Sequence, residues 1–129
     1  MCEEKMDKIK EFIKDQLLVK IFKTREEMGK NAAQDVAKKI SEIIGEKGKV
    51  NIVFAAASSQ NDFLNELAKC SDIDWNKITA FHMDEYVGLD YDAPQKFGNY
   101  LNKHSFNKVN FRKVYYIDEK GKSPEELII

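Results

Sequence analysis

Two apolar segments rich in β-branched residues stand on either side of a segment of helical length, and this alternation most constrains the fold. The segments are KVNIVFAA at 49–56 and ITAFHM at 78–83. Strands separated by helices are joined by right-handed crossovers and lie parallel. A nearly continuous apolar strand is typical of a sheet that is covered on both faces. The sequence therefore predicts one α/β domain over 1–129, a Rossmann-like parallel sheet with helices on both faces.

The clearest helix is predicted to begin at Thr24. Thr24 and Glu27 have the spacing of a capping box, in which the hydroxyl and the carboxylate each satisfy a free backbone N–H. An apolar stripe follows at helical spacing and ends at 45–48. Its members are Met28, Ala32, Ala33, Val36, Ala37, Ile40, Ile43 and Ile44.

The remaining elements follow from periodicity and from start signals. Apolar residues at helical spacing predict a leading amphipathic helix over 1–17, and the run at 18–22 favours a short strand. Further helices are predicted after Ser58 and Ser59, from about Gln95, and from Ser123, with a third strand at 113–117.

Composition excludes several classes of partner. The chain is 43% hydrophobic and 33% charged with a formal net charge of -1, and its charges are mixed along its length. A protein that binds nucleic acid would carry a concentrated basic face, and a membrane span would need about 20 consecutive apolar residues. We therefore expect neither partner.

The charged residues 1–15 do not resemble a signal peptide, and Cys2 and Cys70 are isolated, so we expect a cytoplasmic protein.

In parallel α/β sheets, ligands bind beyond the carboxyl ends of the strands. This rule selects the segment 56–61, which contains Ala57, Ser58, Ser59 and Gln60. Small side chains there leave backbone N–H groups open to an anion at a helix N-terminus, and the two hydroxyls can donate to a phosphate or a sugar. The alternative is that a serine only caps the helix and the alanines pack tightly.

The same rule selects 84–89, where Asp84 and Glu85 follow the second strand. Side chains alternate across a strand, so the two carboxylates cannot both face one ligand while the backbone stays extended. A carboxylate that is partly desolvated at this edge could act as a base, and a solvated or capping role is the alternative. The two histidines, His82 and His104, lack the spacing of metal ligands, and we expect no metal.

The segment FHMDEYVGL at 81–89, followed by PQKFGNYL at 94–101, resembles the signature of glucosamine-6-phosphate deaminases. FAAASSQNDFL at 54–64 falls where that family has its sugar-phosphate loop, with Ala56 and Ala57 in place of the usual Thr-Gly pair. TREEMGKNAA at 24–33 is also similar to the family.

The resemblance implies an aldose–ketose isomerisation with loss of ammonia, in carbohydrate catabolism and without a metal or organic cofactor. Glucosamine 6-phosphate would open its ring, a carboxylate would move the C2 proton to C1, and the imine would hydrolyse to fructose 6-phosphate. The implied base is Asp84, with Glu85 beside it as the second catalytic candidate. The sugar phosphate would contact Ala57, Ser58, Ser59 and Gln60. Alternatives on the same fold are a sugar-phosphate lactonase or isomerase, or a non-enzymatic domain that senses sugar phosphates.

Length is the main departure from this family, whose chains are about twice as long and carry an Asn-Gly-His segment in their second half. Relative to them the fold would be incomplete, as a fragment, a truncated product or a chain completed in trans. We expect the 129-residue chain alone to be inactive and, because sheet edges and apolar surface would be exposed, to form homo-oligomers.

Overall fold

The computed structural model describes residues 8–128 and begins with a two-stranded hairpin. Strand β1 (Lys8–Lys14) pairs antiparallel with β2 (Leu17–Phe22). Asp15 reverses the chain between them in a left-handed conformation, with φ of 54°. The leading helix predicted over 1–17 is therefore wrong for the described residues from 8 onward, because cross-strand pairing overrides the helical spacing. The part of that prediction over 1–7 lies outside the described residues.

Helix α1 (Arg25–Lys47) confirms the predicted start and end signals. The Thr24 hydroxyl accepts from the Glu27 N–H and the Glu27 carboxylate accepts from the Thr24 N–H, each at 3.1 Å. Gly48 closes the helix in the left-handed conformation with φ of 75°, which glycine adopts without steric cost.

Three parallel strands form the central sheet, in the order β3-β4-β5. They are β3 (Val50–Phe54), β4 (Ile78–His82) and β5 (Lys113–Tyr115). The predicted α/β fold with a parallel sheet is thus confirmed, although all three strands are shorter than the segments predicted. The strand predicted at 18–22 is confirmed as β2 of the separate hairpin.

A short helix follows each strand of the central sheet. Helix α2 (Asn61–Ala68) follows a 3-10 turn at Ser58–Gln60. Helix α3 (Phe97–Leu101) continues into one π-helical turn at Asn102–Phe106. Helix α4 (Pro124–Leu127) begins at the Ser123 cap, as predicted. No helix within the described range has the length and apolar character needed to cross a bilayer.

The hydrophobic core lies on one face of the sheet. Its buried members from the sheet include Val50, Phe54, Ile78 and Ala80, joined by side chains from α1, α2, α3 and the π turn. The opposite face is open in the described part of the chain, where Val53 is 61% and Tyr115 45% exposed. The expectation of helices on both faces therefore holds for one face only, although apolar side chains point to both.

Candidate functional site

Strands β3 and β4 end side by side and define the edge at which the predicted site residues lie. Phe54 and His82, the last residues of the two strands, are register partners. The Met83 N–H donates to the Phe54 carbonyl at 3.0 Å and extends the ladder by one step. The segment that leads to Ser58 and the segment that carries Asp84 therefore leave the sheet at the same edge.

The turn after β3 is held by two groups that no sequence signal indicates. The Arg25 guanidinium, at the start of α1, donates to the Ser58 carbonyl and pairs with Asp62 in the first turn of α2. From the other side, the Tyr100 hydroxyl donates to the Ala57 carbonyl at 2.7 Å and contacts the Asn61 side chain. Burial raises the Tyr100 pKa and the Arg25 charge opposes this, so the phenol remains a neutral donor. Hydrogen bonds from two distant elements thus hold the backbone from Ala57 to Asn61.

Ser58 and Ser59 do not cap the helix that follows them. Ala57 precedes the 3-10 turn, Gln60 precedes α2, and neither junction has a side-chain cap. Both serines are exposed, and their hydroxyls form no hydrogen bond with any described residue. The capping alternative is therefore wrong, and both hydroxyls remain available to a ligand.

His82 fixes the backbone that carries Asp84. The imidazole is 5% exposed, and its Nε2 accepts from the Ile117 N–H at 2.9 Å. The proton must then lie on Nδ1, which donates to the Asp84 carbonyl at 2.9 Å. This pair of bonds joins the end of β4 to the chain just beyond β5. The Asp84 side chain itself is exposed and has no hydrogen-bond or ion-pair partner among residues 8–128.

Glu85 has the opposite environment. Its carboxylate accepts from the backbone N–H groups of Tyr86, Phe97 and Gly98, each at 2.9 Å. Two of these donors open α3, where a carboxylate is favoured by the unpaired N–H groups of the first turn. Glu85 therefore holds the start of α3 against the segment that follows β4. Asp84 and Glu85 face different surroundings and do not form a shared-proton dyad.

Behind Glu85 lies a polar cavity of about 190 Å³. Lys96 lines it with a side chain only 5% exposed and forms an ion pair with Asp118. The Tyr91 ring lies 5.9 Å from the ammonium. This buried pair ties α3 to the segment after β5, and no sequence signal singles it out. The described residues contain no group of three or more histidine, cysteine or acidic side chains placed to hold a metal.

The parallel sheet and the polar side chains beyond the ends of β3 and β4 define the class of this protein. It is an α/β protein with its candidate site at the carboxyl ends of parallel strands. The sequence model of a family described as glucosamine-6-phosphate isomerases/6-phosphogluconolactonase matches residues 23–128. The chain belongs to this family.

Curated relatives carry the name glucosamine-6-phosphate deaminase. The protein from Lactobacillus delbrueckii subsp. bulgaricus is 30% identical over 102 residues, which are 79% of this chain and 41% of the relative. The protein from Streptococcus gordonii is 33% identical over 100 residues, which are 78% of this chain and 40% of the relative. The chain therefore spans about two-fifths of the length of the curated relatives that it matches.

Solved structures share the fold at lower identity. A structure described as a monomeric glucosamine-6-phosphate deaminase matches with a TM-score of 0.67 and 22% identity, over 81% of this chain and 44% of that chain. A 6-phosphogluconolactonase from Shewanella baltica matches with a TM-score of 0.65 and 20% identity, over 77% of this chain and 42% of that one. At such identities these structures are evidence for the fold alone.

Proposed function

We propose that this chain provides the phosphate-binding turn and the enolisation base of an amino-sugar-phosphate deaminase/isomerase. The observation that carries the proposal is one edge of the sheet at which the hydroxyls of Ser58 and Ser59 and the carboxylate of Asp84 are all free of partners among the described residues. The curated relatives are named for glucosamine 6-phosphate, which supports that substrate over a lactone.

In the proposed reaction, the turn at 57–60 holds the phosphate and the sugar chain extends toward Asp84. Once the ring has opened, the Asp84 carboxylate takes the C2 proton and returns it to C1. A proton also passes from the C2 nitrogen to the C1 oxygen, so the aldehyde becomes an alcohol and the amine at C2 becomes an imine. Water then adds to C2, and fructose 6-phosphate and ammonia leave. Fixing the phosphate orients C2 toward the base, which removes part of the entropic cost of proton transfer.

The charges around the turn favour binding of an anion with modest affinity. The N-terminus of α2 carries a partial positive charge, and Arg25 lies beside Ser58. Asp62 neutralises much of the Arg25 charge, because the two side chains form an ion pair. Hydroxyl and backbone donors must therefore supply most of the contact with the phosphate, at about 0.5–1.5 kcal/mol for each hydrogen bond.

Glu85 takes a positioning role in this proposal, because its oxygens already accept three backbone N–H groups. The second catalytic candidate thus keeps α3, and with it Tyr100, in place beside the turn. Tyr100 in turn holds the Ala57 carbonyl.

Amide hydrogen exchange tests the proposal on the chain as it exists. Fructose 6-phosphate should slow exchange at residues 57–61, whereas unphosphorylated glucosamine at the same concentration should not. The double substitution Ser58→Ala with Ser59→Ala should weaken this protection roughly tenfold, through the loss of two hydrogen bonds. Ser71→Ala is the matched control, because Ser71 is exposed and precedes β4 at the opposite edge of the sheet. Equal protection by both sugars, or protection by neither, would contradict a phosphate site at this turn.

A further inference from the structure

The outer edge of β3 carries unpaired backbone groups. Because the Phe54 carbonyl accepts from Met83, the N–H and C=O groups of Val50, Ile52 and Phe54 point toward β4. The groups of the alternate residues, Asn51 and Val53, therefore point away from the sheet. No described residue forms a backbone or side-chain hydrogen bond with them there. A strand edge of this kind is a template for another strand.

An apolar cavity of about 250 Å³ lies along this edge. Its wall includes Val36 from α1, Ile52 from β3, and Phe63 and Leu67 from α2, and none of its lining residues is charged. Val53 and Met83, at its rim, are 61% and 65% exposed. A sugar phosphate finds no counter-charge in such a cavity. An extended polypeptide does fit, since its backbone can pair with the edge while an apolar side chain enters the cavity.

The edge of β5 is different. That strand has only three residues, Lys113 is one of them, and Arg112 precedes it. Short strands that carry positive charge are a common protection against edge-to-edge pairing. The open edge of β3 has five residues, VNIVF, and no charge or proline.

The hairpin of the same chain has the properties of a partner for this edge. Leu17, Val19 and Ile21 alternate along one face of β2, and Leu17 and Ile21 are 65% and 41% exposed. Strand β2 pairs only with β1 among the described strands, so its second edge is open. A two-stranded hairpin is marginally stable by itself, and this one is joined to α1 through the ion pair of Lys20 with Asp35, at 2.6 Å.

We propose that the open edge of β3 binds the β2 strand of a second copy of this chain, with Leu17 or Ile21 entering the apolar cavity. The described residues of each copy supply both β2 and the open edge of β3, so the exchange can be reciprocal and closes as a symmetric dimer. A stable interface needs roughly 800 Å² from each partner. Leu17 and Ile21 on the hairpin and Val53 and Met83 at the edge are each at least 41% exposed and would contribute apolar area to it. The cavity shares Gln60 with the turn at 57–60, but the strand pairing itself uses the backbone of Asn51 and Val53 and neither the serine hydroxyls nor the Asp84 carboxylate.

Sedimentation equilibrium of the 129-residue chain, from low to high micromolar concentration, measures the association. The wild-type chain should dimerise. Val53→Lys on the edge and Ile21→Lys on the hairpin should each raise the dissociation constant by about a hundredfold, because each buries a charge without a partner. The double variant should have a dissociation constant little higher than that of either single variant, since both substitutions disrupt the same contact.

Tyr115→Lys is the matched control. Tyr115 is 45% exposed on the same face of the sheet as Val53, but it lies on β5, the edge strand protected by positive charge, and its replacement should leave the dissociation constant unchanged.

Hydrogen exchange gives a second readout that does not depend on the variants. Amides at 17–22 and 50–54 should become more protected as the concentration rises, whereas those of α4 should not. Circular dichroism confirms that each variant is folded before it is compared. A monomer at every concentration would overturn the proposal. A dimer that Tyr115→Lys disrupts as strongly as Val53→Lys does would overturn it too, by assigning the contact to the sheet face.

Discussion

Asp84 and Glu85 are adjacent in sequence, yet their carboxylates have opposite environments. Glu85 satisfies three backbone N–H groups, whereas Asp84 is exposed and unpaired among residues 8–128. The Glu85 carboxylate therefore supports the fold, and the Asp84 carboxylate is available for chemistry. Two neighbouring acids in a motif can carry a structural role and a reactive role, and the motif alone does not say which is which.

This contrast makes a prediction for stability. Glu85→Ala should lower the free energy of unfolding by about 1–3 kcal/mol, because it leaves partly buried N–H groups at the start of α3 unsatisfied. Asp84→Asn, the neighbouring control, should change it by less than about 0.5 kcal/mol. Urea denaturation followed by circular dichroism measures both values. Equal losses in the two variants would mean that Asp84 is also part of the internal bonding.

Among the elements, α1 sets the position of the proposed phosphate-binding turn through a close contact at Gly29. A Cβ atom at this position would lie 2.7 Å from the Asp62 Cβ and 2.9 Å from the Asp62 carbonyl carbon. The backbone of α1 therefore lies directly against the first turn of α2, immediately after Ser58–Gln60. Arg25, one turn earlier on the same helix, can reach the Ser58 carbonyl from there.

The expected effects of substituting two glycines of α1 are opposite in sign. Gly29→Ala should destabilise the chain by about 1–3 kcal/mol, because the methyl group would overlap the backbone of α2. Gly45→Ala should stabilise it by up to about 1 kcal/mol, because no neighbouring element among residues 8–128 lies within 4 Å of the place that the methyl group would take and alanine favours the helix. Thermal and urea denaturation of the two variants check the signs. A neutral Gly29→Ala would show that α1 and α2 separate easily.

Elements with local signals were predictable from the sequence, and those fixed by distant contacts were not. The Thr24 capping box and the apolar stripe predicted α1, and continuous apolar runs predicted β3 and β4. Strand β1 was not predicted because the apolar residues of 8–17 also fit a helical period, and only pairing with β2 decides between the two. Arg25 and Tyr100 could not be recognised as site residues for a related reason. Their partners, Ser58 and Ala57, are far away in sequence.

At the scale of the whole molecule, the described residues hold one half of the proposed acid/base chemistry. His82 and Glu85, the titratable residues nearest to Asp84 in sequence, use both ring nitrogens and both carboxylate oxygens in internal hydrogen bonds. Ring opening and loss of ammonia need a second proton donor or acceptor besides the base. The chain spans about two-fifths of the length of its curated relatives, and they have further residues that could supply such a group.

We therefore expect no release of ammonia from glucosamine 6-phosphate by the 129-residue chain alone. Removing one member of a cooperating catalytic set typically abolishes most of the rate. A coupled ammonia assay at high protein concentration measures this, with the Streptococcus gordonii deaminase as the positive control. Turnover by this chain that Asp84→Asn abolishes would show that the described residues suffice.

The bond between His82 and the Asp84 carbonyl has a practical consequence. It anchors the main chain at position 84 and leaves the side chain outside the internal bonding of the described fold. A position with a fixed backbone and a free side chain suits a chemical reporter, because the label then responds to its surroundings and not to motion of the main chain. An environment-sensitive fluorescent amino acid introduced there would convert the edge of the sheet into a sensor for whatever binds beside it.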